Sequence, residues 1–492
     1  MKFARATLIT MLTLFTLLAI PLRLAAQQAH PHFKFRDLGT LGGPQSSLFG
    51  GSQVINSNGV VAFGGDTSIS DPNYPNYNPL LGQDPFIQHA IRWHKGVKTD
   101  LGTLPGGWSS YSGWITDNGL NSGIAEDGSI DPVTGWPATH AVLWQKHKIV
   151  DMGTLPGGYE AGATAVNSAG QAAGFASNTI TDQYSFFGWG TQSRAFRWTA
   201  SEGMKDIGDL GGPDAAAWLQ NEVGQIAGQS YINSTPNSYS TECGSKVPTV
   251  DTFLWDKGIM NDLPRLGGLC SAANGINSSG QVAGFSYANA LYPHAVLWSM
   301  GNDGKYALQD LGDFGAPGSK AFWINDAGEV VGYAQDQNHF NRAFLWTNGT
   351  LMNLGSLNSD TCSAALGINS KTQIIGNSGD CHNFVSRPFL WQSGSIYDLS
   401  TAFPPSHFMA AEAEFINSDG EVAGVGTLPN GDHHAYVLIP CKAGTKGCKR
   451  VTAGVASRAA AMTQNSAPMT LPGPNRLGRL YQQWGVSAHK PQ

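Results

Sequence analysis

Residues 324–355 read INDAGEVVGYAQDQNHFNRAFLWTNGTLMNLG, and this stretch contains the pattern that decides the fold. Two short apolar runs flank the segment from Asn325 to Gly328. A glycine there suits the positive φ of a hairpin turn, and the asparagine side chain can bond the local backbone. A second pair of apolar runs flanks Asn348 and Gly349, and an Asn-Gly pair in this setting is a strong hairpin signal. The stretch therefore predicts antiparallel strands joined by tight turns.

Four such motifs recur eight times along the chain, always in the same order. The first motif is an Asp-Leu-Gly-like strand end, and it returns every 43–63 residues at Asp37, Asp100, Asp151, Asp206, Asp262, Asp310, Asn353 and Asp398. The others are an apolar strand ending in Ile-Asn-Ser-x-Gly, a small apolar strand such as 281–284, and a strand of the type His-Ala-x-Leu-Trp. Each repeat therefore predicts four antiparallel strands of about five residues.

The period of the repeat indicates the architecture. A four-stranded unit cannot bury both of its faces alone, and 43–63 residues match a propeller blade but exceed a solenoid rung. We therefore predict an all-β protein, an eight-bladed β-propeller of four-stranded antiparallel blades over residues 33–440. The chain begins with an Asp-Leu-Gly strand and ends with a His-Ala-Tyr strand. Closure of the ring therefore requires 33–37 to pair with 434–438 in one blade built from the N- and C-terminal strands.

Residues that recur at one position in most copies are interpreted as structural residues of the repeat and not as ligand-binding residues. Tryptophan ends seven of the eight His-Ala-x-Leu-Trp strands, and we predict that these rings pack between neighbouring blades: Trp93, Trp144, Trp198, Trp255, Trp298, Trp346 and Trp391. His89, His140, His294 and His434 open the same strand, where Arg or Asp replaces His in the other copies. A repeated hydrogen bond explains these histidines better than a ring of metal ligands. Thr372 replaces the turn glycine in one copy, which predicts a slightly strained or a different turn.

The repeat resembles the extracellular HAF-repeat family, which is named for the His-Ala-Phe that opens its fourth strand. In this chain the motif is His-Ala-Ile at 89–91, His-Ala-Val at 140–142 and 294–296, Arg-Ala-Phe at 342–344, and His-Ala-Tyr at 434–436. The segments at 37–43 and 324–332 are also similar to the family pattern. The resemblance covers roughly residues 33–440 and implies an exported, propeller-like protein. It implies no agreed activity and brings no catalytic residues with it.

The composition and the distribution of charge narrow the class of protein. The chain has 492 residues with 62 Gly and 13% charged side chains, which argues against a coiled coil, a helical bundle or charge-driven disorder. Residues 27–440 hold 18 Lys and Arg against all 35 Asp and Glu, a net charge of −17. Such an acidic body argues against nucleic acid as a partner, because phosphates are repelled. Residues 441–492 carry eight basic and no acidic residues, and their Gly, Ala, Ser and Pro content predicts a basic, largely disordered tail.

The first 26 residues have the layout of a secretory signal peptide. Lys2 and Arg5 precede an uncharged run from 6 to 22, and small residues lead to a cleavage site after Ala26. The alternative, a retained membrane anchor, would need a longer run. No later segment approaches 18 apolar residues, so the sequence predicts an exported chain without a transmembrane segment after signal removal. Its expected location is extracellular, periplasmic or at the cell surface.

Six cysteines, an even number in a chain expected to be exported, predict disulfide bonds. The most local of the 15 possible connectivities pairs Cys243 with Cys270, Cys362 with Cys381, and Cys441 with Cys448. A metal site is a weak alternative, because no Cys-x-x-Cys or paired His spacing accompanies these residues.

The direction of the strands places the loops on two faces. The Asn-Ser-x-Gly turns and the turns after the tryptophans share one face, whereas the Leu-Gly-Gly loops and the connections into the His-Ala strand share the other. Every long insertion lies on the second face and in the first four repeats, at 64–88, 124–139, 176–193 and 229–250. Variable loops on one face of a rigid scaffold are where binding usually occurs.

These loops and the adjoining Gly-Gly loops are rich in aromatic rings among Asn, Ser and Asp. Such a surface suits sugars or extended peptides, because rings offer flat apolar area with little loss of entropy. The candidate ligand-binding residues are Tyr74, Tyr77, Trp108, Tyr111, Trp136, Tyr159, Tyr184 and Trp189, with Phe86, Phe186 and Phe187 in the same loops. The alternative is that the rings only pin the long loops to the blades.

Catalytic and metal-binding signatures are weak in this sequence. No nucleophile elbow, zinc-protease motif, phosphate loop or dinucleotide fingerprint occurs in the right context. Carboxylates in the loops would need to lie about 5–9 Å apart for glycoside or lyase chemistry: Asp84, Glu126, Asp127, Asp131, Glu160 and Asp182. A weak case for Ca²⁺ rests on four residues that lack the full spacing of a calcium loop: Asp66, Asp71, Asp127 and Asp131. Solvated loop acids explain both sets better, so no catalytic residue, metal or other cofactor is assigned.

Three functional hypotheses remain after these observations. The first is an exported non-enzymatic propeller that binds a glycan or an extracellular protein through the long loops of repeats 1–4, and the sequence favours it. The second is a polysaccharide-active hydrolase or lyase on the same scaffold. The third is a structural cell-envelope protein whose ring or basic tail contacts the cell surface.

Overall fold

The computed structural model describes residues 30–81, 85–146, 148–289, 291–358, 360–381 and 386–454. The predicted signal peptide at 1–26 and the part of the tail from 455 onward lie outside the described residues. Within the described ranges the regular elements are β-strands, apart from one turn of 3-10 helix at Leu399–Ala402.

The strands form eight sheets of at least four antiparallel strands, each packed against the next around a ring. In blade 2, for example, the inner strand Ser110–Ile115 is buried throughout, whereas the outer strand Lys148–Gly153 is largely solvent-facing. The order of strands within a blade therefore runs from the axis outward. The prediction of an eight-bladed β-propeller of four-stranded blades is confirmed.

The first four blades are built by consecutive strands, the innermost first. Blade 1 comprises Gly42–Ser47, Val61–Ser70, Phe86–His94 and Val97–Asp100. Blade 2 comprises Ser110–Ile115, Asn121–Ile130, Pro137–Gln145 and Lys148–Gly153. Blade 3 comprises Ala161–Val166, Ala172–Thr181, Thr191–Thr199 and Gly203–Asp206. Blade 4 comprises Ala215–Gln220, Ile226–Tyr231, Val250–Asp256 and Ile259–Asp262, with a small hairpin of Ser240–Thr241 and Gly244–Ser245 in its loop.

Blades 5–8 follow the same order. Blade 5 comprises Ser271–Ile276, Val282–Tyr287, Pro293–Met300 and Tyr306–Asp310. Blade 6 comprises Gly315–Ile324, Val330–Asp336, Asn341–Thr347 and Thr350–Gly355. Blade 7 comprises Cys362–Ile368, Ile374–Gly379, Ser386–Gln392, Ser395–Asp398 and an added strand at Thr452–Ala453. Blade 8 comprises Ala410–Ile416, Val422–Thr427, His433–Pro440, His32–Asp37 and an added strand at Cys448–Arg450.

Both ends of the chain build blade 8. The strand His32–Asp37 pairs antiparallel with His433–Pro440, and Phe35 lies opposite Leu438. Blade 8 then bonds to blade 1, because the amide of Ala435 donates to Oγ of Ser46 at 2.9 Å. The predicted pairing of the terminal strands is therefore observed.

The prediction of a disordered tail from residue 441 is wrong for its first part. Cys448–Arg450 pairs with the outer side of His32–Asp37, and Thr452–Ala453 pairs with Ser395–Asp398 of blade 7. Val451, between these two short strands, is fully buried. The propeller therefore extends to residue 454. The composition of 441–454 is polar, but the segment buries Val451 between its two short strands.

All six cysteines form disulfides, in the three pairs predicted from the sequence. Cys243 is bonded to Cys270, Cys362 to Cys381, and Cys441 to Cys448. The first bond ties the loop of blade 4 to the entry of blade 5, and the last closes the segment that leads into the added strands.

The asparagines of the Asn-Ser-x-Gly turns form a belt around the ring. Oδ1 of Asn277 accepts from the amides of Ser279 and Gln281 at 3.1 and 3.0 Å, as predicted for the turn. Its Nδ2 also donates to the carbonyl of Asn325 in the next blade at 3.2 Å. The same bond between blades links Asn56 to Thr116, Asn221 to Asn277, Asn325 to Asn369, Asn369 to Asn417, and Asn417 to Asn56. The motif therefore joins neighbouring blades as well as holding its own turn.

Thr372 occupies the position of the turn glycine in blade 7 and keeps the same turn. Its φ is +54°, and its amide donates to the carbonyl of Asn369 at 3.1 Å, as the glycines do in other copies. Its hydroxyl donates to Oε2 of Glu329 at 2.8 Å. Thr372 therefore adopts an unfavourable left-handed backbone conformation. Of the two predictions for this position, the strained turn is correct and the different turn is wrong.

The recurrent histidines make the repeated hydrogen bond that the sequence predicts. Each donates from Nδ1 to the carboxylate of the Asp near the end of the fourth strand of its blade, at 2.8–3.0 Å: His89 to Asp100, His140 to Asp151, His294 to Asp310, and His434 to Asp37. The tryptophans pack between blades as expected. Nε1 of Trp144 donates to the carbonyl of Leu101 in blade 1, and that of Trp298 to Pro264 in blade 4.

Aromatic rings fill the axis of the ring at one level. Trp114 of blade 2 stacks on Trp323 of blade 6 with ring centroids 6.2 Å apart, although these blades face each other across the circle. Phe415 of blade 8 meets Trp323 edge-on at 5.2 Å. The centre is therefore packed by side chains at this level.

Candidate functional site

Blades 1–3 carry elongated hairpins on the face of the Leu-Gly-Gly loops. Their second strands, Val61–Ser70, Asn121–Ile130 and Ala172–Thr181, have ten residues each, against six or seven in blades 4–8. Pairing continues beyond a register shift in each hairpin, such as the one between Glu126 and Ile130. Much of the predicted loops 64–88, 124–139 and 176–193 is therefore β-strand and not loop. We call residues 64–81, 105–109, 124–139, 156–160, 176–193 and 229–250 the rim.

Hydrogen bonds lock neighbouring parts of the rim together. Nδ2 of Asn78 in blade 1 donates to the carbonyl of Pro137 in blade 2 and to Oε2 of Glu160 in blade 3, both at 2.8 Å. The hydroxyl of Tyr231 in blade 4 donates to the carbonyl of Tyr184 in blade 3 at 2.9 Å. The described parts of the four insertions are therefore joined to one another by hydrogen bonds.

Glu126 is a buried carboxylate at the joint of blades 1 and 2. Its Oε2 accepts from the amides of Trp108 and Ser109 at 2.9 and 3.1 Å. Burial raises the pKa of Glu126 to about 7, although the two hydrogen bonds lower it. The negative charges of Asp71 and Asp127 raise the pKa further. The carboxylate therefore holds the Gly-Gly loop that carries Trp108.

Glu160 plays the same part at the joint of blades 2 and 3. Its Oε2 accepts from Oγ1 of Thr139 at 2.6 Å as well as from Asn78, and the residue is fully buried. Burial and the charge of Asp131 raise the pKa of Glu160 well above its usual range. Because Thr139, Asn78 and Pro137 all meet here, this carboxyl group ties three blades together.

Asp214 is the third buried acid of this kind, at the joint of blades 3 and 4. Its two oxygens accept from the amides of Phe186 and Ser193. Burial and the neighbouring charge of Asp182 raise the pKa of Asp214 well above its usual range. This residue was not among the candidates from the sequence, although it stands two residues after a Gly-Gly pair, as Glu160 does.

The loop acids considered for catalysis act as hydrogen-bond acceptors in turns. Oδ1 of Asp127 accepts from Ser129, that of Asp131 from the amide of Val133, and that of Asp182 from the amide of Tyr184. Asp84 lies outside the described residues. The carboxyl groups of the rim are thus engaged in shaping loops and joints.

The four aspartates considered for Ca²⁺ do not converge on one point. Asp66 is buried and accepts from the amide of Gln45 at 2.7 Å, whereas Asp71 begins its loop by accepting from Asn73 at 2.8 Å. Among the residues that the structure describes, no three His, Cys, Asp or Glu side chains are grouped as around a metal ion.

Three of the predicted rings present their faces to solvent. Tyr74, Trp108 and Tyr159 are 50%, 48% and 41% exposed, and the last two occupy equivalent positions in the Gly-Gly loops that lead into blades 2 and 3. Tyr77, Trp136 and Tyr184 are half-buried, and Tyr77 stacks beside Tyr74 with centroids 6.4 Å apart. Phe86 is also half-buried. These rings are placed where a ligand on the rim would touch them.

Tyr111 and Trp189 lie in the core and offer no face to a ligand. The hydroxyl of Tyr111 is 2.8 Å from Oγ of Ser47 in blade 1, and its ring packs inside the inner strand of blade 2. Trp189 packs on Phe187 with centroids 4.6 Å apart and is almost fully buried, as are Phe186 and Phe187. For Trp189, Phe186 and Phe187 the alternative from the sequence, pinning of a long loop, is the correct one, whereas Tyr111 packs within the blades.

Exposed aliphatic side chains, which were not among the candidates from the sequence, complete the surface. Of the fifteen large hydrophobic residues that are exposed in the described chain, eight lie on the rim: Ile69, Tyr74, Trp108, Ile130, Val133, Tyr159, Ile180 and Tyr239. The rim holds only about a fifth of the described residues. The signal was present in the sequence, since Ile69, Ile130 and Ile180 each stand one or two residues before the Asp that begins a long loop.

A cleft of about 600 Å³ opens on the rim between blades 3 and 4. Tyr184 and Gln183 line it from blade 3, and Pro213 and Ser234 line it from blade 4. The four insertions contain eight acidic residues and a single basic one, Lys246. The rim therefore combines apolar side chains with an acidic surrounding.

Comparison with known proteins gives little further information. No family model matches this chain, and no curated protein does. Solved structures that align with part of it include TolB from Acinetobacter baumannii, at 11% identity over 62% of this chain and 76% of that one, with a TM-score of 0.30. A mutant of AofleA from Arthrobotrys oligospora aligns at 11% identity over 66% and 88%, with a TM-score of 0.29. Likenesses this remote carry no argument about function. A search for membrane-spanning helices among the described residues finds none of sufficient length and apolarity.

Proposed function

We propose that this chain is an exported HAF-repeat propeller that binds a glycan or an extracellular protein through the rim, without catalysing a reaction. The observation that carries this proposal is the concentration of exposed hydrophobic side chains, eight of fifteen, on one ordered face of blades 1–4. Grouped apolar side chains on a rigid surface are a common mark of an interaction site. The three disulfides support export to an oxidising compartment.

The engagement of the rim's carboxyl groups supports binding over catalysis. Glu126 accepts two hydrogen bonds from the loop that leads into blade 2, and Glu160 accepts two from blades 1 and 2; both residues are buried. A glycosidase would need two carboxyl groups free to reach one sugar bond. The polysaccharide-active enzyme and the structural envelope protein therefore remain alternatives without a specific observation in their favour.

The test of the proposal is a pair of matched double variants. Trp108→Ser with Tyr159→Ser removes two exposed rings from the rim, and Val223→Ser with Ile259→Ser removes two even more exposed apolar side chains elsewhere on the disc. Binding of each protein to an array of polysaccharides and to immobilised proteins of the native secretome is measured. We expect the wild type to bind at least one probe and the rim variant to lose about tenfold or more in affinity, because aromatic anchors each contribute about 1–2 kcal/mol. The control should bind as the wild type does.

Two results would contradict the proposal. Equal affinity of the wild type and the rim variant for every bound probe would mean that the rim is not the binding surface. Release of new reducing ends from a bound polysaccharide would show turnover and favour the enzymatic alternative.

A further inference from the structure

Six blades share an ion pair between their two outer strands. The residue that opens the third strand is a His or an Arg, and it contacts the Asp that ends the fourth strand at 2.8–3.0 Å: His89 with Asp100, His140 with Asp151, Arg194 with Asp206, His294 with Asp310, Arg387 with Asp398, and His434 with Asp37. Blade 6 has the neutral Asn353 in place of the Asp, and its Arg342 contacts Asp336 instead. In each of the six blades the carboxylate at this position therefore has a His or Arg side chain as a hydrogen-bond partner.

The same carboxylates have a second partner in the backbone. In each of the six blades the Asp accepts from the amide two residues later, at 2.7–2.9 Å: Gly39, Gly102, Gly153, Gly208, Gly312 and Ser400. Blade 4 departs from both rules. Asp251 stands where the other blades have His or Arg, and Pro264, which has no amide hydrogen, stands two residues after Asp262.

Blade 4 therefore brings two carboxylates together with incomplete hydrogen bonding. Oδ2 of Asp251 accepts from Nη1 of Arg265 at 2.8 Å, but its Oδ1 is buried with no hydrogen-bond partner among the described residues. Asp251 itself is only 3% exposed. Asp262 is solvent-facing, and its carboxylate makes no hydrogen bond to any residue that the structure describes. A buried acceptor that lacks a donor is costly, so its retention calls for an explanation.

Both carboxylates line a cleft of about 520 Å³ on the outer side of blades 4 and 5. Arg265 lines the same cleft, and Lys305 and Tyr306 contribute from the outer turn of blade 5. This volume lies in the range of small-molecule sites. The equivalent positions of six other blades bring two side chains within 2.8–3.0 Å. The charge of Asp262 also acts on the carboxyl group of Asp251, so the two carboxylates are neighbours in this cleft.

We infer that this cleft binds a ligand through a primary ammonium group, which donates to Oδ1 of Asp251 and to the carboxylate of Asp262. An ammonium has three donors and one positive charge, which matches two carboxylates that share the single positive charge of Arg265. The half-buried ring of Tyr306 offers an apolar wall for the carbon atoms beside the nitrogen. Burial raises the pKa of Asp251 to about 6, and the charge of Asp262 contributes while Arg265 opposes it, so the carboxylate is ionised at neutral pH.

An organic cation fits this cleft better than a metal ion. The guanidinium of Arg265 already occupies Oδ2 of Asp251, so only one oxygen of that carboxylate is open. A divalent cation prefers six or more oxygen ligands and would stand beside the positive charge of Arg265. The ammonium needs fewer ligands and carries less charge. The cleft borders the rim at Ile232 and is otherwise lined by residues outside it, and the inference does not depend on the function proposed for the rim.

The test uses isothermal titration calorimetry of the mature protein with two amines. Glucosamine presents the ammonium on a sugar, and Nα-acetyl-lysine methylamide presents it on an amino acid. N-acetylglucosamine and the Nε-acetylated lysine derivative are the neutral counterparts. We expect saturable binding of at least one amine and none of its neutral counterpart, and the amine that binds identifies the source of the ammonium.

Two matched variants localise the binding. Asp262→Asn should weaken the amine by about tenfold or more. Asp310→Asn changes the equivalent residue of blade 5, which is paired with His294, and should leave the affinity unchanged. Because Asp262 is exposed, its variant should keep the melting temperature of the wild type, which is measured alongside. Equal binding of amine and neutral probe, equal loss in both variants, or no saturable binding of either amine up to about 10 mM would overturn the inference.

Discussion

Replacement of Glu126 by Gln should remove a large part of the pH dependence of stability. The pKa of Glu126 rises from 4.5 to about 7 on folding, chiefly because the carboxyl group is buried. The stabilisation that protonation provides is fully present below about pH 4.5 and is lost as the pH rises through 7. At 1.36 kcal/mol for each pH unit, the interval between the two values corresponds to about 3 kcal/mol. Glutamine keeps an oxygen for the amides of Trp108 and Ser109 and cannot ionise.

The measurement is urea unfolding of the wild type and Glu126→Gln at pH 4.5 and pH 8. The free energy of unfolding of the wild type should fall between these pH values by about 3 kcal/mol more than that of the variant. Glu160 and Asp214 are present in both proteins, so their contributions cancel in the comparison. Glu222→Gln is the matched control, because Glu222 also accepts from a backbone amide, that of Ser168 at 2.9 Å, but is exposed.

The reasoning would be refuted if Glu126→Gln and the wild type lost the same free energy of unfolding between pH 4.5 and pH 8. It would also be refuted if the wild type gained stability relative to the variant as the pH rose. A change as large in Glu222→Gln would mean that the effect belongs to surface charge and not to the buried joint.

Three further predictions concern the ring itself. Asn277→Ala removes bonds within its turn and to blade 6, so the free energy of unfolding should fall by about 2 kcal/mol in a urea titration, whereas a Ser279→Ala control should change it little; equal effects would contradict the role of the belt. Trp323→Ala opens a cavity at the axis and should cost about 3–5 kcal/mol, and an unchanged melting temperature would show that the ring does not fill the centre. Replacement of Cys243 and Cys270 by Ser opens a loop of 27 residues, so stability should fall by about 2–4 kcal/mol with faster hydrogen exchange in 232–249; unchanged exchange there would count against a tie between blades.

Features that recur in every repeat could be predicted from the sequence. The period, the hairpin turns and the pairing of the terminal strands follow from local turn chemistry and from the order of motifs. The disulfide between Cys362 and Cys381 could be predicted because both residues flank one hairpin. In such cases the information lies within a single repeat or between adjacent ones.

Contacts between blades could be predicted only in part. The turn asparagines were expected to bond their own backbone, but the donation from Asn277 to Asn325 depends on how two blades stack. The stacking of Trp114 on Trp323 could not be predicted from the sequence, for a different reason. These two residues come from opposite sides of the ring, and the other blades do not repeat the pair.

The direction of a side chain limited the prediction of the rim. Trp108 and Tyr111 are only three residues apart, yet one is exposed and the other buried, because Tyr111 belongs to the inner strand of blade 2. Their identity as aromatic residues does not separate them. Ile130 was also missed, because only aromatic residues were taken as candidates for the binding surface. Its exposure follows from the extension of its strand beyond the body of the blade.

The shared construction of blade 8 has a consequence for synthesis. The ribosome makes His32–Asp37 first, but the partner strand His433–Pro440 follows only about 400 residues later. Until then the circle stays open, with unpaired edges at blade 8 and beside blade 1 that can add strands from other polypeptides. Completion of the circle therefore has to wait for this last strand, and a change that slows it should favour aggregation even if the finished protein is as stable as before.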